Sequence, residues 1–279
     1  MSENRNFDGR VHLIFQPAEE GAGGAHKMIR EGLFDRFPMD AVYGLHNWPR
    51  LPRGTIAMRT GPIMAAADRF DIKIKGVGGH AAIPHKVIDP IIVGAQIVGA
   101  LQTLVSRSAN PIDPMVISIT NFNAGTGAFN VIPETAHLSG TLRSFDQNTR
   151  QSMIRRIGEI AADTARVFGA SAVCDFMAGG YDPTVNSADE TAFCADIARG
   201  IVGDDCVDTA TEPVMGAEDF GAMLQAKPGC YIFMGQAEPD DETSAHNHMV
   251  HTPHYDFNDA IIPLGIEYWA RVVEGCLKK

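Results

Sequence analysis

Residues Val11–Pro49 read VHLIFQPAEEGAGGAHKMIREGLFDRFPMDAVYGLHNWP, and this stretch decides the fold class. The apolar run Val11 to Phe15 is short and flanked by polar or turn residues, which predicts a buried strand. The loop Gln16-Pro17-Ala18-Glu19-Glu20-Gly21 follows, then a predicted helix from about Gly24 to Glu31. A second buried strand, Asp40 to Leu45, is predicted to end at His46-Asn47-Trp48-Pro49. Strand, helix, strand with short connections predicts a parallel α/β sheet. Ligand sites in such sheets collect at the carboxyl ends of the strands, where Glu19, Glu20 and His46 fall.

Working outward, the pattern changes near Ala67. Phe70-Asp71-Ile72-Lys73-Ile74-Lys75 alternates apolar with polar, as a half-exposed strand does. A long apolar helix (Ile88 to Val105), strands at Met115–Asn121 and Ala136–Phe145, an amphipathic helix (Asn148 to Phe168) and a strand (Ser171–Met177) are predicted next. The order β-α-β-β-α-β is ferredoxin-like. The expected organisation is an α/β domain formed by 1–66 and 181–279, with a ferredoxin-like domain, 67–180, inserted in it. A helix near Asp189–Gly200, a strand at Cys230–Met234 and a closing helix at Asn258–Cys276 complete the α/β part.

Composition narrows the function. The chain has 279 residues, 34 acidic against 23 basic, and a formal charge of −11. No basic stripe is present to neutralise phosphates, so nucleic acid is excluded as an expected partner. Cys174, Cys194, Cys206, Cys230 and Cys276 show no CxxC spacing, which fits reduced thiols in a cytoplasm. No apolar run is expected to reach the ~18 residues that span a bilayer.

Several residues suit hydrolytic chemistry. Adjacent carboxylates such as Glu19 and Glu20 can divide the work of holding an ion and taking a proton from water. Taken alone, such a pair is more often a solvated surface pair. His46 could be a metal ligand or a packed histidine. His246, His248, His251 and His254 crowd one segment that suits either metal or solvent. Gly76-Val77-Gly78-Gly79-His80 matches neither phosphate-loop fingerprint and reads better as a tight turn presenting His80.

The order of these features carries more than any one of them. LIFQPAEEGAGGA, GLHNWP, KGVGGHAAIPH, ALQTLVSR, FNVIPETAHLSGTLRSF, GAEDF and VHTPHYDFND occur in sequence. Together they resemble the amidohydrolase branch of the aminoacylase and carboxypeptidase-type metallopeptidases, which includes hippurate hydrolases, auxin-conjugate hydrolases and N-acetyl-diaminopimelate deacetylases. The likeness covers essentially the whole chain.

The resemblance implies that the inserted domain is a lid, also used for homodimerisation. It implies a small N-acyl amino acid substrate and two divalent ions, manganese or zinc. Glu19 would be the general base, and Glu20, His46 and His251 metal ligands. His80 would stabilise the oxyanion, Asn130 and Arg143 would contact substrate, and Glu218 would line the site. A guanidinium suits a carboxylate because it can bond both oxygens. The family's upstream DMDALP-like and HACGHDGH-like motifs do not occur, so only part of its ligand set is expected here. Rival expectations are a chain that folds or dimerises without turnover, or a di- or tripeptidase of the same clan.

Overall fold

Two four-stranded sheets with separate cores organise the chain, beside the two-stranded pairs of Gly61–Met64 with Thr184–Asn186 and of Gly79–His80 with Val131–Ile132. The computed structural model describes residues 6–278. Its strands are β1 (Val42–Pro52), β2 (Ile56–Ala57), β3 (Gly61–Met64), β4 (Ala66–Lys75), β5 (Gly79–His80), β6 (Met115–Ala124), β7 (Val131–Ile132), β8 (Thr135–Ser144), β9 (Ser171–Phe176), β10 (Thr184–Asn186), β11 (Val207–Asp208) and β12 (Gly229–Ala237). Its helices are α1 (Gly24–Arg30), α2 (Leu33–Arg36), α3 (Pro90–Thr103), α4 (Gln147–Val167), α5 (Ala188–Val202), α6 (Gly221–Ala226) and α7 (Ile262–Cys276).

The first sheet is mixed, in the order β1-β12-β2-β11, with β1 and β12 parallel. Every residue of β12 is buried, because both faces are covered. Tyr231 and Phe233 point to one side, into a cluster with Ala25, Leu33 and Met223. Cys230, Ile232 and Met234 point to the other, against Cys194 and Ala198 of α5 and Tyr268 and Val272 of α7. A near-continuous apolar strand is what burial on both faces demands.

The second sheet is antiparallel, in the order β6-β8-β4-β9, and the chain visits it as strand, helix, strand, strand, helix, strand. Phe70, Ile72, Ile74, Leu138 and Leu142 face α3 and α4, which contribute Val93, Ile97, Leu101, Met153, Ile157 and Ala161. Both helices are capped by a preceding aspartate. Asp89 accepts from Ile91 N–H at 2.8 Å, and Asp146 from Thr149 N–H at 2.7 Å.

Three expectations need correction. Val11–Phe15 forms no strand: it runs without a ladder partner among the described residues, leaving Leu13 77% and Phe15 86% exposed. Its apolar character is met only where Ile14 leans on the α1 cluster. Secondly, the Asp40–Leu45 strand does not stop at His46. It continues as β1 to Pro52, pairing His46 with Phe233 and shifting register between Trp48 and Pro52. Thirdly, the helical run Pro90–Ser108 is long and apolar enough by composition to cross a membrane. Its Val93, Ile97, Leu101 and Leu104 are buried in the core under the antiparallel sheet, which gives that apolar stripe a partner.

Candidate functional site

The Glu19 loop has to be held in place by side chains, because the segment before it makes no ladder. Asp219 is fully buried and grips both ends of the loop, accepting from the Gln16 side-chain amide and, at 2.9 Å, from Ala25 N–H. Between those ends the Gly21 N–H reaches the Glu19 carbonyl oxygen at 2.6 Å, a three-residue turn with Glu20 at its tip. Ala18 enters this turn with φ 58°.

Glu19 lies beside Glu218 and Asp219, their carboxylate oxygens within 4.8 Å of one another. Glu218 and Asp219 both belong to the GAEDF segment, buried just before α6. Burial pushes the Glu19 carboxyl up to about 7, and the charges of Glu218, Glu20 and Asp219 add to the rise. Burial raises Glu218 as well, against the pull of the Tyr231 hydroxyl, the Phe220 N–H and His46. Tyr231 donates to Glu218 Oε2 at 2.6 Å, and Phe220 N–H to Oε1 at 3.0 Å.

Glu20 points the other way, into solvent, where its Oε2 lies 3.9 Å from His251 Nε2. His251 has φ 64°, and Ala18 is the only other non-glycine residue with positive φ among those described. One strained residue inside the carboxylate–imidazole pair and a second two positions before its glutamate is a distribution expected of a functional site. His46 is half-buried on β1, its Nδ1 2.6 Å from the Asn47 carbonyl and its ring edge-on to Trp48 at 5.8 Å. Trp48 in turn stacks on Phe233 at 4.2 Å.

The other candidates form separate groups. His80 is exposed on the β5–β7 ribbon, opposite Val131, and its Nδ1 accepts from Ala82 N–H at 3.1 Å. Asn130 adjoins it through Ala81 N–H to the Asn130 carbonyl, 2.9 Å. Gly76 makes this turn possible: a Cβ there would sit 2.1 Å from the Ile88 carbonyl oxygen. Arg143 lies on β8, across from Ala67 and Val116. Burial lowers its pKa, Arg69 lowers it further, and Asp68 opposes them. No hydrogen bond or ion pair joins His80, Asn130 or Arg143 to the Glu19 loop among the described residues.

Nothing in the sequence singles out Asp219, Tyr231 or Tyr181 as site residues. The GAEDF segment marks Glu218, and a place next to Glu218 in that motif is the one signal for Asp219. The tyrosines gave none, since their partners lie 13 to 162 residues away.

The donor set can be tested for fit to a divalent ion. Both oxygens of Glu218 and of Asp219 already accept a hydrogen bond each, which suits orienting work around an ion. Glu20 and His251 meet in the open, and a carboxylate with an imidazole is a donor pair that manganese or zinc accepts. The pair supplies two donors of the kind such an ion takes, and Glu19, Glu218 and Asp219 form an acidic group beside it that could hold one.

The chain matches the peptidase family M20/M25/M40 over residues 1–275 and belongs to that family. It is 41% identical over 231 residues to thermostable carboxypeptidase 2 of Saccharolobus solfataricus, covering 82% of this chain and 57% of that protein. It is 36% identical over 264 residues to IAA-amino acid hydrolase ILR1-like 4 of Arabidopsis thaliana, covering 93% and 58%. The chain thus spans little more than half the length of these curated relatives. Its fold superposes with TM-score 0.78 and 30% identity on a Bacillus subtilis protein described as a dinuclear metal-binding peptidase of the M20 family, covering 99% of this chain and 67% of that one.

Proposed function

We propose that this chain carries the hydrolytic centre of an amidohydrolase that cleaves the amide bond of N-acyl amino acids or related small amides. Glu19 is the general base, and Glu20, His251 and His46 hold divalent ions. The carrying observation is the placement of Glu19: a half-buried carboxylate gathered with Glu218 and Asp219 within 4.8 Å, one residue from the Glu20–His251 pair. The substrate class is carried over from the names of the relatives, a carboxypeptidase and an IAA-amino acid hydrolase.

Divalent ions at Glu20, His251 and His46 would supply Lewis acidity to water and to the scissile carbonyl. Glu19 takes the proton from the attacking water and returns it to the departing amine. His80 donates a hydrogen bond to the developing oxyanion, with Asn130 beside it. Arg143 receives the substrate carboxylate, and Glu218 orients Glu19 from the buried side. The antiparallel unit, residues 67–180, acts as a lid over 1–66 and 181–279. Its closure brings together the groups that stand apart here. The edge strand β6 is uncharged from Met115 to Ala124 and supports pairing with a second copy across a two-fold.

The test is turnover of hippurate and N-acetyl amino acids by the manganese- or zinc-loaded chain, alone and as Glu19→Gln. Loss of a general base is expected to cut kcat by about 10²–10⁴-fold, with bound metal unchanged. Full turnover by Glu19→Gln, or none by the loaded parent chain, would overturn the proposal.

A further inference from the structure

The chain passes between the two sheets twice, and Tyr181 sits on the return. Ala67 and Tyr181 bridge the two passages with reciprocal backbone bonds, Ala67 N–H to the Tyr181 carbonyl at 3.0 Å and Tyr181 N–H to the Ala67 carbonyl at 2.8 Å. Charged groups wrap this crossing. Arg150 of α4 is buried and grips Asp68 with two bonds of 2.7 Å, and it also pairs with Asp182. Asp182 lies 3.5 Å from His26 of α1. Gly180 has no room for a side chain, since a Cβ would fall 2.2 Å from Asp68 Oδ1 and 2.9 Å from Arg150 Nη2. The backbone on either side of Tyr181 is therefore locked to the antiparallel unit.

The Tyr181 side chain leaves that unit and reaches the Glu19 loop. The residue is 8% exposed, and its hydroxyl donates to the Glu19 carbonyl oxygen while accepting from Gly21 N–H at 2.8 Å. One hydroxyl thus clamps the backbone groups on both sides of Glu20. The loop it clamps is entered through the strained Ala18 and has no ladder among the described residues, so side chains set its path, Asp219 at its ends and Tyr181 at its tip.

We infer that Tyr181 is a positioning residue: its hydroxyl transmits the setting of the antiparallel unit to Glu19 and Glu20, so that lid motion and assembly of the hydrolytic centre are coupled. The inference rests on the proposed hydrolytic role of Glu19 for its purpose, but not for its geometry. A rotation at the Ala67–Tyr181 crossing moves a hydroxyl that holds the Glu19–Gly21 turn. Binding anything that shifts the lid therefore redirects both carboxylates.

The experiment compares the parent chain, Tyr181→Phe, Asp182→Asn and the double variant. Tyr181→Phe keeps the ring and removes only the clamp. Hydrogen exchange at the Gly21 amide is expected to quicken about tenfold, as loss of one such bond implies, with the Ala67 and Tyr181 amides unchanged. Asp182→Asn loosens the crossing and should quicken Gly21 exchange in the parent background but add nothing in Tyr181→Phe. With metal and N-acyl amino acid, Tyr181→Phe should lower kcat about tenfold and leave KM within about twofold, the signature of misplaced groups rather than lost binding. Unchanged Gly21 exchange in Tyr181→Phe, or equal effects of Asp182→Asn in both backgrounds, would overturn the inference. Because the exchange arms need no turnover, they decide this coupling separately from whether Glu19 is a base.

Discussion

The antiparallel unit and the Val11–Gly21 segment treat apolar residues in opposite ways. In the antiparallel unit, Phe70, Ile72, Ile74, Leu138 and Leu142 are essentially inaccessible, and each strand pairs with at least one neighbour. In Val11–Gly21, Leu13 and Phe15 stand in solvent, no ladder forms, and a few side-chain bonds fix the path. Rigidity sits in the first region and candidate chemistry in the second. Loops placed by a rigid scaffold carry function more often than the scaffold does. Here two residues hold the loop, Asp219 from the segment before α6 and Tyr181 from the crossing to the antiparallel unit.

The largest test of this contrast is at the junction. Burial pulls the Arg150 guanidinium down, but the hydrogen bonds and charges of Asp68 and Asp182 outweigh it and hold it above its usual value. Replacing Asp68 with alanine strips Arg150 of its bidentate partner inside the protein, leaving Asp182 and the Gln147 side-chain oxygen. The expected cost is about 3 kcal/mol, toward the lower end of what breaking a buried pair incurs. Urea unfolding reads it as a lowered midpoint with the slope unchanged. A loss under about 1 kcal/mol would mean that the crossing is not a rigid mount at all.

The same contrast separates what sequence could reveal from what it could not. The antiparallel unit was legible because its signals are local. Phe70–Lys75 alternates at the period of a strand, and α4 places Met153, Ile157, Ala161 and Ala165 on one stripe. The Val11–Phe15 run shows why local signals fail elsewhere. Five apolar-rich residues look alike whether or not a partner strand lies beside them, and the partner is a tertiary fact. The sequence pattern puts His46 at a strand end beside Trp48 and Pro49, yet pairing with β12 carries β1 past them. The site residues were legible only through the order of their motifs. Their grouping into Glu19 with Glu218, Glu20 with His251, and His80 with Asn130 follows from contacts that no spacing encodes.

A middle-sized effect concerns pH. Glu19 is raised from 4.5 to about 7 in the folded chain, so folding favours its protonated form. The contribution to stability is then fully present below about 4.5 and lost as pH rises through 7. In chelator-treated protein, the parent chain should lose stability relative to Glu19→Gln between pH 5 and 7, read from urea midpoints. Half-exposure screens the charge, so the loss should fall well short of the ~1.4 kcal/mol per unit that a fully buried group would show. Parallel midpoints for the two proteins across that range would place Glu19 in water rather than among Glu218 and Asp219.

The smallest effect decides most about the Val11–Gly21 segment. Leu13 and Phe15 are exposed, so Leu13→Ser and Phe15→Ser remove little surface that folding buries, and each should change stability by less than about 0.5 kcal/mol. A buried strand would answer differently, because deleting a core leucine or phenylalanine costs about 2–5 kcal/mol through lost transfer energy and the cavity left behind. Ile14→Ser supplies the internal control, since Ile14 is partly buried against the α1 cluster and should cost more than either neighbour. The alternation small, larger, small across Leu13, Ile14 and Phe15 would show an extended segment with one face on the protein and one in solvent. Equal large losses at all three would show that the segment is covered in solution. The Glu19 turn would then be held from its upstream side as well, and Tyr181 and Asp219 would share a task that this structure assigns to them alone.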